Sequence, residues 1–212
     1  MWLHIWCSSD GWHMSVHLKA LTQTDLGEFK SLLGSSEFGG CFCAVWSSYD
    51  NAWESRCKDA SQPNFEITKR NVLEGQHVGY LVYQGDTLIG WTGSGPKSSF
   101  PFLKTKLGSR LSESPETTWS IGCLAIREKV RGKGLSDKIV LAVIEEAQKN
   151  GAKTIEAYPT CPWDEPRAFR GSQRLYERIG FKVVGIDKDE ESEILLMEYG
   201  TIIKAFTLEN VN

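Results

Sequence analysis

Gly132 and Gly134, interleaved with Arg131 and Lys133, stand directly before the apolar run of the stretch VRGKGLSDKIV, residues 130–140. Glycine weakens a helix and like charges repel, so the junction is shaped to hold something. A strand, a glycine-rich turn and a helix in that order can bind phosphate. The first helical turn has free N–H groups, and the positive end of the helix dipole points at the anion. Glycines let the backbone approach closely where a Cβ would collide with the ligand. The two cations supply charge where a phosphate compensates their crowding. The junction therefore reads as a site for a phosphorylated ligand.

Two phosphate-binding motifs are excluded. A dinucleotide fingerprint needs G-x-G-x-x-G, and Asp137 takes the third glycine's place, where it would repel a pyrophosphate. GWTGSGPKS nearly matches a Walker loop, but Pro96 stands where the lysine belongs and no apolar helix follows.

Stepping outward, TTWSIGCLAI reads as a long, central strand in front of the junction. Behind it Leu135, Ile139, Ala142, Val143 and Ala147 recur at helical spacing, and Asn150-Gly151 is a stop signal. Upstream, a short strand over 16–21 precedes a helix from about Thr24, its expected N-cap, to Leu33. Asn64 is the expected cap of a helix in FEITKRNVLEGQ, and VGYLVYQGDTLIGWTG is a hairpin about Gly85-Asp86. Downstream come the strand KTIEAYPT, the loop CPWDEPRAFRG, the helix SQRLYERIG and the strands FKVVGI and SEILLMEY. The order implies an α/β fold with a mixed sheet.

RGKGLS, residues 131–136, resembles the R/Q-x-x-G-x-G/A motif of the GCN5-related N-acetyltransferases (GNAT). CLAI lies at the distance expected of that family's fourth strand. LYERIGF, with Tyr176 four residues before Gly180-Phe181, resembles its closing Tyr-x-x-x-Gly-Phe signature. The resemblance implies a twisted, mostly antiparallel sheet of about seven strands flanked by helices, with a V-shaped splay between strands 4 and 5. It implies acetyl-CoA as acyl donor, with no metal. The pantetheine arm would pair with the backbone of Leu124, Ala125 and Ile126. The diphosphate would be held from Arg131 through Gly132, Lys133, Gly134 and Leu135 to Ser136. Tyr176 would return a proton to the departing thiolate, and a strand-4 N–H would polarise the thioester carbonyl. Ser136 departs from the usual Gly or Ala, and its hydroxyl is expected to reach a phosphate oxygen or cap the helix. Phe169 replaces a cofactor-contacting asparagine and is given no role.

WSIGCLA lacks the glutamate that many members use as general base. Glu116, Asp164 and Glu165 lie nearby in sequence without standing out. The expected activity is N-acetylation of a primary amine on a small molecule or peptide. The alternative is an acyl-CoA-binding module without catalysis. Trp46, Trp91 and Trp163 are candidate walls for the acceptor, or else core tryptophans.

Net charge of -3 and pI near 5.9 speak against sequence-independent nucleic-acid binding. The longest apolar run, IVLAVI, is too short to cross a bilayer. Six cysteines without regular spacing read as buried or structural thiols rather than a metal site. No basic start or apolar core of a leader is recognised, so the expected location is cytoplasmic, with a homodimer left open. Residues 1–13, with three tryptophans, read as an extension, 14–200 as one domain and 201–212 as a tail.

Overall fold

The computed structural model describes residues 15–48, 50, 52–105, 115–161, 169–188 and 193–200. The expected extension, the tail, Trp163, Asp164 and Glu165 lie outside the described residues.

The elements alternate as expected of an α/β chain. They are β1 (Val16–Ala20), α1 (Leu26–Leu33), α2 (Ala44–Ser47), α3 (Trp53–Arg56), α4 (Pro63–Leu73), β2 (Tyr80–Gln84) and β3 (Thr87–Pro96). There follow α5 (Pro101–Thr105), β4 (Thr118–Ile126), α6 (Leu135–Lys149), β5 (Thr154–Ala157), β6 (Thr160–Cys161), α7 (Gln173–Ile179), β7 (Lys182–Lys188) and β8 (Glu193–Gly200).

Two expected caps differ. Thr22 and Asp25, not Thr24, form a reciprocal capping box, with the Thr22 hydroxyl donating to Asp25 Oδ2 at 2.6 Å. Pro63 opens α4 at its first position, where no N–H is needed. Asn64 is therefore inside the helix; its amide donates to the Trp53 carbonyl at 2.8 Å and accepts from Arg56 Nε at 2.8 Å.

The sheet runs β1-β2-β3-β4-β5-β8, with β7 on the far side of β8 and β6 continuing the β5 edge against β8. Every pairing is antiparallel except β4 with β5. Each face of the sheet carries its own core. On one, Leu135, Ile139, Val140, Val143 and Ile144 of α6 pack with Trp119, Ile121 and Leu124 of β4. These positions repeat at helical spacing, and each side chain buried this way contributes about 1.5–3 kcal/mol. On the other, Phe29, Phe42, Trp46, Phe65, Trp91 and Phe102 form an aromatic core beneath α1, α2 and α4.

One irregularity in β4 sets up the site. Thr92 pairs with Leu124 and Ser94 with Ile121, so Gly93 alone faces both Gly122 and Cys123. This is a β-bulge, which bends a strand and re-aims its side chains. Before the bulge Ile121 faces α6; after it Cys123 and Ala125 face the aromatic core while Leu124 faces α6.

Candidate active site

The parallel β4–β5 pairing covers only Thr118 to Ile121 against Thr154 to Ala157. Beyond the bulge, β4 continues to Ile126 while β5 ends, and the strands part. A cleft of about 910 Å³ occupies the gap. Leu124 and Ile126 form its floor on one side, Thr160 and Cys161 the other, and Gly132, Gly134, Leu135 and Ser136 its end. Phe169, Gly171, Arg174 and Arg178 line the wall toward α7.

The glycine junction has the geometry its composition predicts. Gly132 and Gly134 sit at φ +76° and +68°, the left-handed region that side chains disfavour, and a Cβ on either would have nothing within 4 Å. Their open surroundings leave room for a ligand. Among the described residues the amides from Gly132 to Ser136 have no backbone acceptor, and Gly134 caps α6 without side-chain help. These free donors at the start of a 15-residue helix suit a phosphate. Asp137, in the first turn, is held by a two-pronged bond from Arg178 at 2.8 and 2.9 Å. That guanidinium keeps the carboxyl below its usual range and masks its charge from an incoming anion. The Ser136 hydroxyl supports the same carboxylate instead of capping the helix.

Of the residues expected to hold the donor, Leu124, Ile126, Arg131, Gly132, Gly134, Leu135 and Ser136 meet around the cleft. Lys133 is exposed and does not line it. Ala125 faces the aromatic core, because alternation turns it away from the gap. The β4 backbone groups expected to pair with a pantetheine arm have partners within the chain. The Leu124 N–H donates to the Phe169 carbonyl at 2.6 Å, and the Ile126 carbonyl accepts from Arg131 Nε at 2.7 Å. Arg131 is held in turn by Glu37, 3.5 Å away, which also accepts from the Glu128 N–H.

Tyr176 is fully buried and donates to the Arg170 carbonyl at 2.8 Å. Burial, with a smaller contribution from nearby Cys123, pushes its phenol well above the ordinary value, so it keeps its proton. Phe169 and Arg170 thus form a strap beside the cleft. One carbonyl caps the Leu124 amide and the next caps Tyr176. The Phe169 ring packs on Phe38 at 5.7 Å, and the Arg170 guanidinium lies 5.1 Å from the Trp46 ring centre. Phe169 contributes a backbone carbonyl, which side-chain identity does not signal.

The expected tryptophan walls need correction. Trp91 is wholly buried, edge-on to Phe29, with its indole N–H on Cys43 Sγ at 3.0 Å. Trp46 is 2% exposed and lies against Gly122 of the bulge, where a Cβ would come within 2.8 Å of the ring. Both belong to the aromatic core, because their rings fill the space that glycines leave, Gly79 beside Trp91 and Gly122 beside Trp46. Among the described residues no cluster of three or more His, Cys, Asp or Glu suits a metal, and no helix is long and apolar enough to cross a membrane.

Comparison with known proteins agrees with this geometry. The Acetyltransferase (GNAT) family matches over residues 42–181. YvbK of Bacillus subtilis (strain 168), described as an uncharacterized N-acetyltransferase, is 28% identical over 106 residues, 50% of this chain and 59% of that protein. The match thus spans less than two thirds of that relative's length. Among solved structures, the aminoglycoside acetyltransferase AAC(6')-Ib in complex with coenzyme A and kanamycin superposes with a TM-score of 0.58. It is 20% identical, with 88% of this chain and 95% of that one covered. The yncA acetyltransferase of Salmonella typhimurium, solved with acetyl-CoA, gives a TM-score of 0.52 at 17% identity, covering 90% and 96%. A sheet parting beside a bulged β4, an α6 that opens on bare amides, and a family match over most of the described residues lead to one conclusion: the chain belongs to the GNAT family of acetyltransferases.

Proposed function

We propose that the protein transfers an acetyl group from acetyl-CoA to a primary amine by direct attack, with donor and acceptor bound together. The carrying observation is the cleft along the unpaired half of β4, ending on the free amides of α6. Gly132 to Ser136 and Arg131 would hold the diphosphate. The edge of β4 from Leu124 to Ile126 would hold the amide-bearing arm. The donor supplies a thioester; the remaining work belongs to the chain. The Leu124 N–H, at the bulge, would hold the thioester oxygen as charge grows on it. Tyr176 would give its proton to the departing sulfur. Both roles require the Phe169–Arg170 strap to release the two groups it caps.

The acceptor would approach from the aromatic face. The AAC(6')-Ib structure with coenzyme A and kanamycin supports a small-molecule amine. Among the described residues the buried Trp46, Phe102 and Tyr158 back this face, with the Arg170 guanidinium over Trp46.

Incubating the chain with acetyl-CoA and a panel of primary amines, kanamycin included, tests the reading by thiol release and by the mass of one added acetyl group. Tyr176→Phe should lower turnover on the order of a hundredfold while CoA affinity stays within about twofold. Tight CoA binding with no amine acetylated would instead identify a binding module without catalysis.

A further inference from the structure

Glu156 is fully buried on β5, and nothing in the donor site uses it. Lys97 Nζ donates to both its oxygens, at 2.9 and 2.8 Å. The Tyr158 hydroxyl donates to Oε2 at 2.7 Å and lies 2.8 Å from Ser120 Oγ. A phenol has one proton. Since Tyr158 commits its proton to Glu156, the Ser120 hydroxyl must donate to the Tyr158 oxygen. The hydrogen bonds therefore run in one direction, from Ser120 through Tyr158 to the Glu156 carboxylate. Lone pairs of the Ser120 oxygen stand at the head of the row.

The row ends beside the point where the strands part. Ser120 pairs with Glu156 one step before the β4–β5 pairing ends at Ile121 and Ala157. Gly122, the next residue on that face, begins the bulge, and the Trp46 ring rests on it, so an acceptor reaches Ser120 when that ring moves aside. At the far end Glu198 of β8 faces Glu156 in register and is partly exposed. Lys182 of β7 stands opposite Glu198. Burial, then the Glu156 charge, raises the Glu198 carboxyl against the pull of Lys97. Burial also holds Tyr158 neutral. Both carboxylates thus feel the Lys97 ammonium. A buried ion pair is weak evidence of a stabilising role, since apolar packing often serves as well. A coupled buried cluster beside a reaction centre points to chemistry.

Resting on the acetyl-transfer reading, we propose that the Glu156–Glu198 pair, reached through Ser120 and Tyr158, accepts the proton that the acceptor ammonium must lose. An R–NH3+ group gives a proton to Ser120 oxygen as Ser120 passes its own to Tyr158 and Tyr158 its own to Glu156. The amine is left neutral with its lone pair free, one carboxylate becomes a carboxylic acid, and Lys97 stays charged. The proton leaves to solvent by way of Glu198. Glu156 acts through the hydroxyls and is a positioning residue; the β4 glutamate missing from the sequence has its counterpart across the strand pair.

Two measurements decide this. In protein labelled with 13C at glutamate side chains, the Glu198 carboxyl should titrate above the ordinary value of about 4.3. In acetyl transfer from acetyl-CoA to kanamycin, putrescine and phenethylamine, Glu156→Gln should lower kcat/KM roughly a hundredfold at pH 7. The deficit should shrink about tenfold per pH unit above that, as solvent deprotonates the amine unaided. Glu156→Gln strips Lys97 of its counter-charge, so Tyr158→Phe and the paired Lys97→Met/Glu156→Gln are measured beside it. Tyr158→Phe keeps the ion pair and should still show the pH-dependent deficit, which a packing role would not produce. If amines are acetylated but both carboxyls titrate normally, or all variants keep the wild-type pH profile, this proposal fails alone. If no amine is acetylated by the wild type, the transfer reading fails and the proton acceptor with it.

Discussion

Gly134→Glu tests the diphosphate cradle. Gly134 sits at φ +68° with nothing within 4 Å of a built Cβ, so in the free protein the change adds backbone strain but no clash. A side chain in the left-handed region costs about 1–2 kcal/mol. For a domain of this size that lowers Tm by about 2–8 °C. Gly151 offers a matched control at the other end of α6, with φ +78° and equally empty surroundings. The two positions are about 22 Å or more apart at 1.5 Å per residue. Gly151→Glu should cost the free protein a similar amount and leave the cradle untouched. With CoA at 100 times its Kd, mass action stabilises the wild type by about 2.7 kcal/mol, or about 5–11 °C in Tm. Gly151→Glu should keep that rise, whereas Gly134→Glu, with a carboxylate where the diphosphate belongs, should lose it. The assay is thermal unfolding of the three proteins with and without CoA. An undiminished rise in Gly134→Glu would refute the placement of the diphosphate at α6.

The strap gives a second prediction. Phe38→Leu removes an aromatic contact with Phe169 outside the cleft, worth about 0.5–1.5 kcal/mol. If the strap must open for the donor, CoA should bind about two- to tenfold tighter by calorimetry, because the competent conformer is more populated; unchanged affinity would mean the strap stays shut around the donor. His77 gives a third. Burial lowers its pKa against the opposing effects of the Ser94 carbonyl, bonded at 2.7 Å, and Glu146. The unfolded chain then takes up a proton at about pH 6.5 while the folded one does not. This stability is fully present above that pH and is lost as pH falls toward the folded value. His77→Gln, which can keep the Ser94 bond, should flatten Tm against pH below about 6.5; an unchanged slope would assign it to other groups.

The donor half was legible because its parts are contiguous. Gly132, Gly134 and the spaced apolar residues of α6 lie within twenty residues of one another, and a helix start follows from local rules. The rest of the site was not, because its contacts join distant segments. Lys97 meets Glu156 across 59 positions, and Arg131 meets Glu37 across 94. Lys97 lies in GWTGSGPKS, where no periodicity marks it as half of an ion pair. Trp46 and Trp91 misled for a related reason: composition reveals how much aromatic surface exists, not which side of a sheet it lies on. One signal went unused. Gly122 interrupts an otherwise apolar strand, and an isolated glycine in such a place points to a bulge or a close approach. Here it is both.

The bulge and the splay make the emptied edge of β4 costly to leave bare. A strand that loses its neighbour exposes N–H and C=O groups that need partners, and in a buried cleft water is a poor supply. The chain meets that need with the Phe169 carbonyl and Arg131 Nε. A donor carrying amides along its arm offers β4 the same bonds, so binding exchanges one set for another and gains little from hydrogen bonding alone. Net affinity must then come from contacts that the free protein leaves unmade. The described residues offer these in one place, the unpaired amides and open glycines at the start of α6. Recognition of the donor would therefore rest on its diphosphate, and the arm would contribute register. The motif most visible in the sequence would then also be where the binding energy is concentrated.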